Sequence, residues 1–409
     1  MNFRERNFED CTGVVSIGKT SADGRLKMGQ THDRFPSSIF GFWGVTRSLK
    51  IVQNKETGIK VLGDLRTHPD RFDAWLNSEG VARFSNNRYP IREASGESSY
   101  SFGDSQEFYS LEFAYISKDF PSLDQPDSTS ATNVLLKAST AKEAIEIMGK
   151  TLPHESKDLF GPLTSGTFSC ANAFISPKLK HLESMPKGYN RRIRAEKLLE
   201  KRKWGNAYSP FVLGRITTPY LFRILRDRNN TSPDLTYEDD TRGAISLFSF
   251  ERRTVFGEIN EIDPANPDML SICWATPNFP PTSPFIPFFT GLEEIPPSFG
   301  ESSENKTNVF QELLNAITFD LEVIPNIQSF WESFEYKTLC ELKYLREQIE
   351  DLVDGGDRKS ARERLYQFSN EKCEKSIEYA EKLIQWVKNN LIINGVETSV
   401  KKPKPDLDG

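Results

Sequence analysis

Residues 11–35 read CTGVVSIGKTSADGRLKMGQTHDRF. Val14, Val15 and Ile17 give the first half the β-branched character of a strand. Asp23-Gly24 is a hairpin turn signal, because glycine admits the positive φ that a tight reversal needs. LKMGQTHD then reads as a returning strand. The segment therefore predicts an antiparallel hairpin that starts near Cys11 and ends near Asp33. The same string contains Gly13-Val-Val-Ser-Ile-Gly18-Lys19-Thr20, which fits the phosphate-loop formula GxxxxGK[ST]. A phosphate loop follows a buried strand, cradles its anion in a tight turn and opens a helix. Here the charged run FRERNFED precedes it, strand-type residues fill it, and the turn SADG follows it. Strand pairing is the better reading, and nucleotide binding is set aside.

Working outward, residues 59–65, 72–84 and 99–116 continue the strand-and-turn pattern. Thr140 and Glu143 have the S/T-x-x-E spacing of a capping box, so a helix is predicted to start there. FSCANAFISP reads as a buried strand, NRRIRAEKLLEKRKW as a basic helix and TPYLFRILRDR as a further helix. AISLFSFERRTVFGEI and DMLSICWATP read as strands. FPPTSPFIPFFTGLEEIPPSFG is so rich in proline that an irregular, packed loop is expected. Residues 306–391 read as helical with strong charge alternation, and 392–409 as a disordered tail. A strand-rich first third and a helical last quarter indicate an α+β fold.

The 409 residues carry a net charge of −6, which argues against a nucleic-acid scaffold, since phosphate binding needs a basic stripe. No apolar run reaches the ~20 residues of a membrane span, and the N-terminal MNFRERNFED lacks the apolar core of a secretory signal. The expected compartment is the cytoplasm. The five cysteines, at 11, 170, 273, 340 and 373, are odd in number and dispersed. They form neither a disulfide framework nor a zinc motif. With four histidines and no HExxH, no metal and no cofactor are expected.

Candidate chemistry begins at Cys11, a cysteine beside a small hydroxyl residue at the entry to a strand. A free cysteine is more often a small core hydrophobe. Asp33 has the plain alternative of an ordinary turn aspartate. Asn172 lies between apolar residues in SCANAFIS, where a satisfied core amide is the plain alternative. Arg191, Arg192 and Arg194 read first as a solvated basic helix face.

In order along the chain, Cys11-Thr12, the Asp-Gly hairpin, Gln30-Thr31-His32-Asp33, LNSEGVARFSNN, LKASTAKEAIEIM, ANAFISPKLKHLE with NRRIRAEKLL, and WATPNFPPTSPFIPFFTGLEEIPPSFG resemble the N-terminal-nucleophile cysteine hydrolases. The likeness is to their dipeptidase/secernin-like branch, related to choloylglycine and penicillin V hydrolases and penicillin-forming acyltransferases. The resemblance implies a four-layer α/β/β/α sandwich with Cys11 as nucleophile. It implies that the α-amino group of Cys11, freed by removal of residues 1–10, is the base. It also implies that Asp33 orients that amine, that Asn87 and Asn172 hold the oxyanion, and that Arg191 stands near the nucleophile. Asn86 adjoins Asn87, and Arg192 and Arg194 are substitutes for Arg191. Gln30-Thr31 stands where the common branches carry Arg-Asn.

The expected organisation is a propeptide at 1–10, an αββα domain at 11–305, a helical segment at 306–391 packing on the core, and a tail at 392–409. The expected function is hydrolysis of a linear amide or peptide bond in a small substrate. An acyltransferase of the same fold, or a non-catalytic secernin-like interaction protein, is the alternative. Leu339, Leu342, Leu345 and Ile349 predict a buried helical face that suits either the core or a second copy in a homo-oligomer.

Overall fold

The computed structural model describes residues 10–34, 48–65, 72–88, 104–110, 114–119, 134–151, 167–171, 191, 194–199, 215–228, 245–246, 253–300, 308–317 and 321–394. Residues 1–9 of the expected propeptide, Asn172, Arg192 and residues 395–409 lie outside them.

The chain is α+β, as expected, and the described residues form two six-stranded antiparallel sheets. The first comprises β1 (Asp10–Ser16), β2 (Lys27–Arg34), β9 (Thr167–Ala171), β10 (Arg253–Glu261), β11 (Ile272–Ala275) and β12 (Ile286–Phe289), in the order β12-β11-β10-β2-β1-β9. The second comprises β3 (Ser48–Gln53), β4 (Lys60–Leu65), β5 (Phe72–Asn77), β6 (Ala82–Arg88), β7 (Asp104–Ser110) and β8 (Ala114–Asp119), in sequence order. The sheets meet where β1 and β2 lie against β6. Trp75 and Phe256 pack there with ring centroids 5.0 Å apart.

The β1–β2 hairpin forms in the predicted place. Its connection holds a 3-10 turn at Gly18–Thr20, with Gly18 at φ +51, and the Asp23-Gly24 reversal, with Gly24 at φ +75. Asp23 accepts from Ser21 Oγ at 2.9 Å and Arg25 N at 3.1 Å, and the buried Lys27 ammonium also donates to it. Burial raises the Asp23 carboxyl, yet the charge and hydrogen bond of Lys27 outweigh it and hold the group down at about 2. Residues 13–16 of the phosphate-loop-like string are strand, paired on both sides by β2 and β9.

Gly29 decides how closely a helix approaches this sheet. A Cβ there would meet Ile259 Cγ1 at 3.1 Å, Val14 Cγ2 at 3.3 Å and Leu225 Cδ1 at 3.4 Å. Leu225 belongs to α2 (Thr218–Leu225), which packs on β2 and β10. The capping box predicted at Thr140 starts α1 (Ala141–Thr151). Thr140 Oγ1 accepts from Glu143 N at 3.1 Å, and Glu143 Oε2 accepts from Ser139 N at 2.8 Å. Ala141 and Ala144 of α1 cluster with Leu135 and Ala138 over Val61 of the second sheet and Val81 of its β5–β6 turn.

The proline-rich stretch departs from the expected irregular loop. It follows the short α3 (Pro267–Leu270) and β11, and contains a 3-10 turn at Pro280–Thr282 and strand β12. Proline is tolerated because β12 is an edge strand, where one side of the ladder needs no donor. Pro287 faces Trp274 across the ladder, and its carbonyl accepts from Ser369 Oγ at 2.9 Å. Ser369 lies on α6 (Arg358–Asn394), which covers that edge, a common way to protect an exposed ladder.

The C-terminal segment consists of α4 (Asn308–Ile317), α5 (Ile324–Asp354) and α6, and runs past residue 391. It packs on the first sheet's periphery and the Pro280–Thr282 turn. Leu342, Leu345 and Ile349 are buried as expected, and Leu339 is half-buried. Arg226, capping α2, donates to Glu335 Oε2 at 2.7 Å and Oε1 at 2.5 Å, and to the carbonyls of Pro280 at 2.9 Å and Ser283 at 2.7 Å. Burial pushes the Glu335 carboxyl up, opposed by Arg226 and by the Phe285 amide. Among the described residues no helix is long and apolar enough to cross a membrane.

Removing one partner of a buried ion pair strands the other charge. Arg226→Met should therefore cost about 3–5 kcal/mol in urea unfolding. The double variant Arg226→Met, Glu335→Leu should recover most of that loss.

Candidate active site

The hairpin register fixes the centre of the site. Cys11 stands opposite His32, and Asp33 stands opposite Asp10, so Asp33 flanks the Asp10–Cys11 peptide bond from the neighbouring strand. On its other side Asp33 faces Thr254 of β10, just before a register shift between Thr254 and Phe256. The backbone amide of Thr12 donates to Thr31 Oγ1 at 3.2 Å. The Gln30-Thr31 pair is buried. Gln30 faces Gly13 on one side and Glu258 on the other.

Asp33 is only 1% exposed. A carboxylate in such a place must be paired and hydrogen-bonded. Its Oδ2 lies 2.6 Å from Arg191 Nη1, and its Oδ1 accepts from Thr254 Oγ1. Arg191 is 2% exposed and donates through Nη2 to the carbonyl of Ile245 at 3.0 Å. Burial pushes the Asp33 carboxyl above its ordinary value, against the pull of the Arg191 charge and the two hydrogen bonds. Arg191 is thus not on a solvated helix face, the plain reading of its sequence. Arg194, from the same helical stretch, makes a bidentate contact with Asp227 at 2.9 and 2.7 Å and lies apart from Asp33's pairing.

The structure therefore joins Asp33 and Arg191 directly, with Cys11 one register position from Asp33. Asn87 is on β6, opposite Ser105 of β7, in the strand that lies against β1 and β2. Asn172 follows Ala171, the last residue of β9, which stands opposite Thr12.

Two neighbours escaped the sequence reading. Thr254 holds Asp33, and His32 Nε2 lies 2.6 Å from Glu258 Oε2. His32 and Glu258 are 3% and 0% exposed. Nothing local marks either contact, because each partner is more than 200 positions away in sequence. Their only signal is the spacing of β10, which places Thr254 and Glu258 beside Asp33 and Gln30.

Cys273 and Cys373 are buried, and burial pushes both thiols well above their ordinary value. A thiol of that kind is unreactive. Cys340 is exposed, and Cys170 lies on β9 opposite Gly13. Among the described residues no three His, Cys, Asp or Glu side chains form a group that could hold a metal ion. No protein-family model and no curated protein matches the chain.

Arg191→Met should leave Asp33 buried without its counter-charge. Its folded-state pKa then lies further above the unfolded value, so the folded state binds the additional proton. Stability gained from that proton is present at low pH and lost as pH rises through the raised value. The variant should therefore be more destabilised at about pH 7 than at about pH 5. Urea unfolding at both values checks this, and the double variant Asp33→Asn, Arg191→Met should lack that difference.

Proposed function

We propose that the chain is a cysteine N-terminal-nucleophile hydrolase with the four-layer α/β/β/α architecture, of the dipeptidase/secernin-like kind. It cleaves a linear amide or peptide bond through an acyl-enzyme on Cys11, after scission of the Asp10–Cys11 bond. The observation that supports this most is the buried Asp33, held by Arg191 and Thr254 opposite Asp10. A fixed, desolvated carboxylate beside that bond is what a newly freed ammonium needs.

The proposed chemistry uses these groups together with those that the resemblance implies. The α-amine of a mature Cys11 has an ordinary pKa of about 7.7–8.0. It takes the thiol proton, and Asp33 stabilises the resulting ammonium. Arg191 fixes the Asp33 carboxylate and favours its ionised form. The thiolate attacks the substrate carbonyl, and the amides of Asn87 and Asn172 serve as neutral oxyanion donors. The ammonium returns its proton to the leaving amine, and water then hydrolyses the thioester.

Intact-mass measurement and N-terminal sequencing of purified protein test the reading. Active wild-type protein should begin at Cys11. Cys11→Ala should keep its leader and lose turnover of a dipeptide or acylamide panel by about 10³-fold or more. Active protein that retains Met1 would sink the proposal. Transfer to added amine acceptors in place of hydrolysis would assign the acyltransferase alternative.

A further inference from the structure

Release of Cys11 poses a chemical problem that the mature site does not. While the Asp10–Cys11 bond is intact, the Cys11 nitrogen is an amide and accepts no proton. The first turnover, on the chain itself, therefore needs a different base for the thiol.

A buried imidazole–carboxylate pair stands at the right place. Cys11 and His32 are direct register partners on β1 and β2. Directly opposite residues of an antiparallel pair share a face, with Cβ atoms about 4.5–5.5 Å apart. His32 Nε2 is held by Glu258 Oε2 at 2.6 Å, and Glu258 comes from the strand on the other side of β2. The ring is fixed against Trp75 and Phe256, with centroids 6.0 and 5.7 Å away. A histidine whose one nitrogen donates to a carboxylate presents its other nitrogen as an acceptor. We propose that His32, oriented by Glu258, accepts the Cys11 thiol proton in the uncut chain and so drives removal of the leader. This rests on Cys11 being the nucleophile proposed above.

The step balances. The Sγ–H proton moves to His32 Nδ1, and Glu258 compensates the imidazolium. Sγ adds to the Asp10 carbonyl carbon. The C–N bond breaks, the His32 proton passes to the departing Cys11 nitrogen, and an Asp10–Cys11 thioester remains. Water hydrolyses it to the Asp10 carboxylate, the free thiol and the free amine. The surrounding charges fit an imidazolium that exists only in passing. Asp33, next along β2, is ion-paired to Arg191, and Glu258 lies against His32. Asp64, from β4 of the other sheet, acts together with Glu258 on the Cys273 thiol.

The test uses the full chain as wild type, His32→Gln and Glu258→Gln. Two readouts are taken: loss of residues 1–10 by intact mass, and iodoacetamide labelling of each cysteine by peptide mapping from about pH 5 to pH 9. In freshly synthesised wild-type chain that still carries its leader, Cys11 should label at about pH 6.5 at least tenfold faster than the exposed Cys340. His32→Gln should keep its leader and lose that excess, its Cys11 profile moving to the ordinary thiol range near about 8.5. Glu258→Gln, which keeps a hydrogen-bond acceptor but no charge, should fall between. Cys340 should not change in either variant, and Cys273 and Cys373 should stay protected.

Wild-type processing rate and Cys11 profile in His32→Gln would overturn the proposal while leaving the hydrolase reading intact. So would a loss that appears only together with exposure of Cys273 and Cys373, which makes the pair structural. A wild-type chain that keeps Met1 yet shows the fast, His32-dependent Cys11 overturns leader removal by this pair, and the processed enzyme with it. A slow Cys11 in that same chain removes both.

Discussion

A buried carboxylate is expensive, and Asp33 is almost wholly withdrawn from solvent. Everything around it compensates: Arg191 supplies the counter-charge, Thr254 donates a hydrogen bond, and the Ile245 carbonyl fixes the guanidinium. These groups come from β2, a helical stretch, β10 and the region before it. The pair therefore ties separate parts of the chain to the start of β1. Such pairs add little net stability over an apolar core, because desolvation cancels much of the attraction. Their worth lies in specifying one geometry, and that geometry sits beside the Asp10–Cys11 bond.

The rest of the fold packs around this region and buries it. Gly29 lets α2 lie close over β2, and α2 ends at Arg226, whose contacts with Glu335 lock α5 to the turn at Pro280–Thr282. A second cluster does the same further along. Arg346 of α5 reaches Glu261 at 2.8 Å and Asp263 at 3.0 Å, where β10 ends, and Arg25 also binds Asp263 at 2.9 Å. Both clusters bear on β10 or on the helix that packs on it, the strand that supplies Thr254 and Glu258. The C-terminal helices thus stiffen the site without contributing a residue to its centre.

Local chemistry made part of this legible in the sequence. The β1–β2 hairpin follows from β-branched residues and an Asp-Gly turn, and α1 from its capping box. Strand β12 was hidden because prolines argue against a strand unless it is an edge, and an edge is a tertiary property. Asp33 could be singled out, but local chemistry read Arg191, Arg192 and Arg194 alike as a basic helix face, and only the resemblance favoured Arg191. Only packing shows that Arg191 is buried while Arg194 pairs with Asp227. The His32–Glu258 contact spans 226 positions and leaves no local pattern at all.

The central claim is that this buried cluster serves a nucleophile at Cys11. It is tested most directly by trapping the acyl-enzyme with a chromogenic acyl ester and mapping the tryptic peptides. The proposed chemistry predicts the acyl group on Cys11, in a peptide spanning residues 11–19 whose N-terminus is Cys11 itself, and its loss in Asp33→Asn. An acyl group found only on Cys340, or a Cys11 peptide that still begins at Asn7 and stays unmodified, would contradict it.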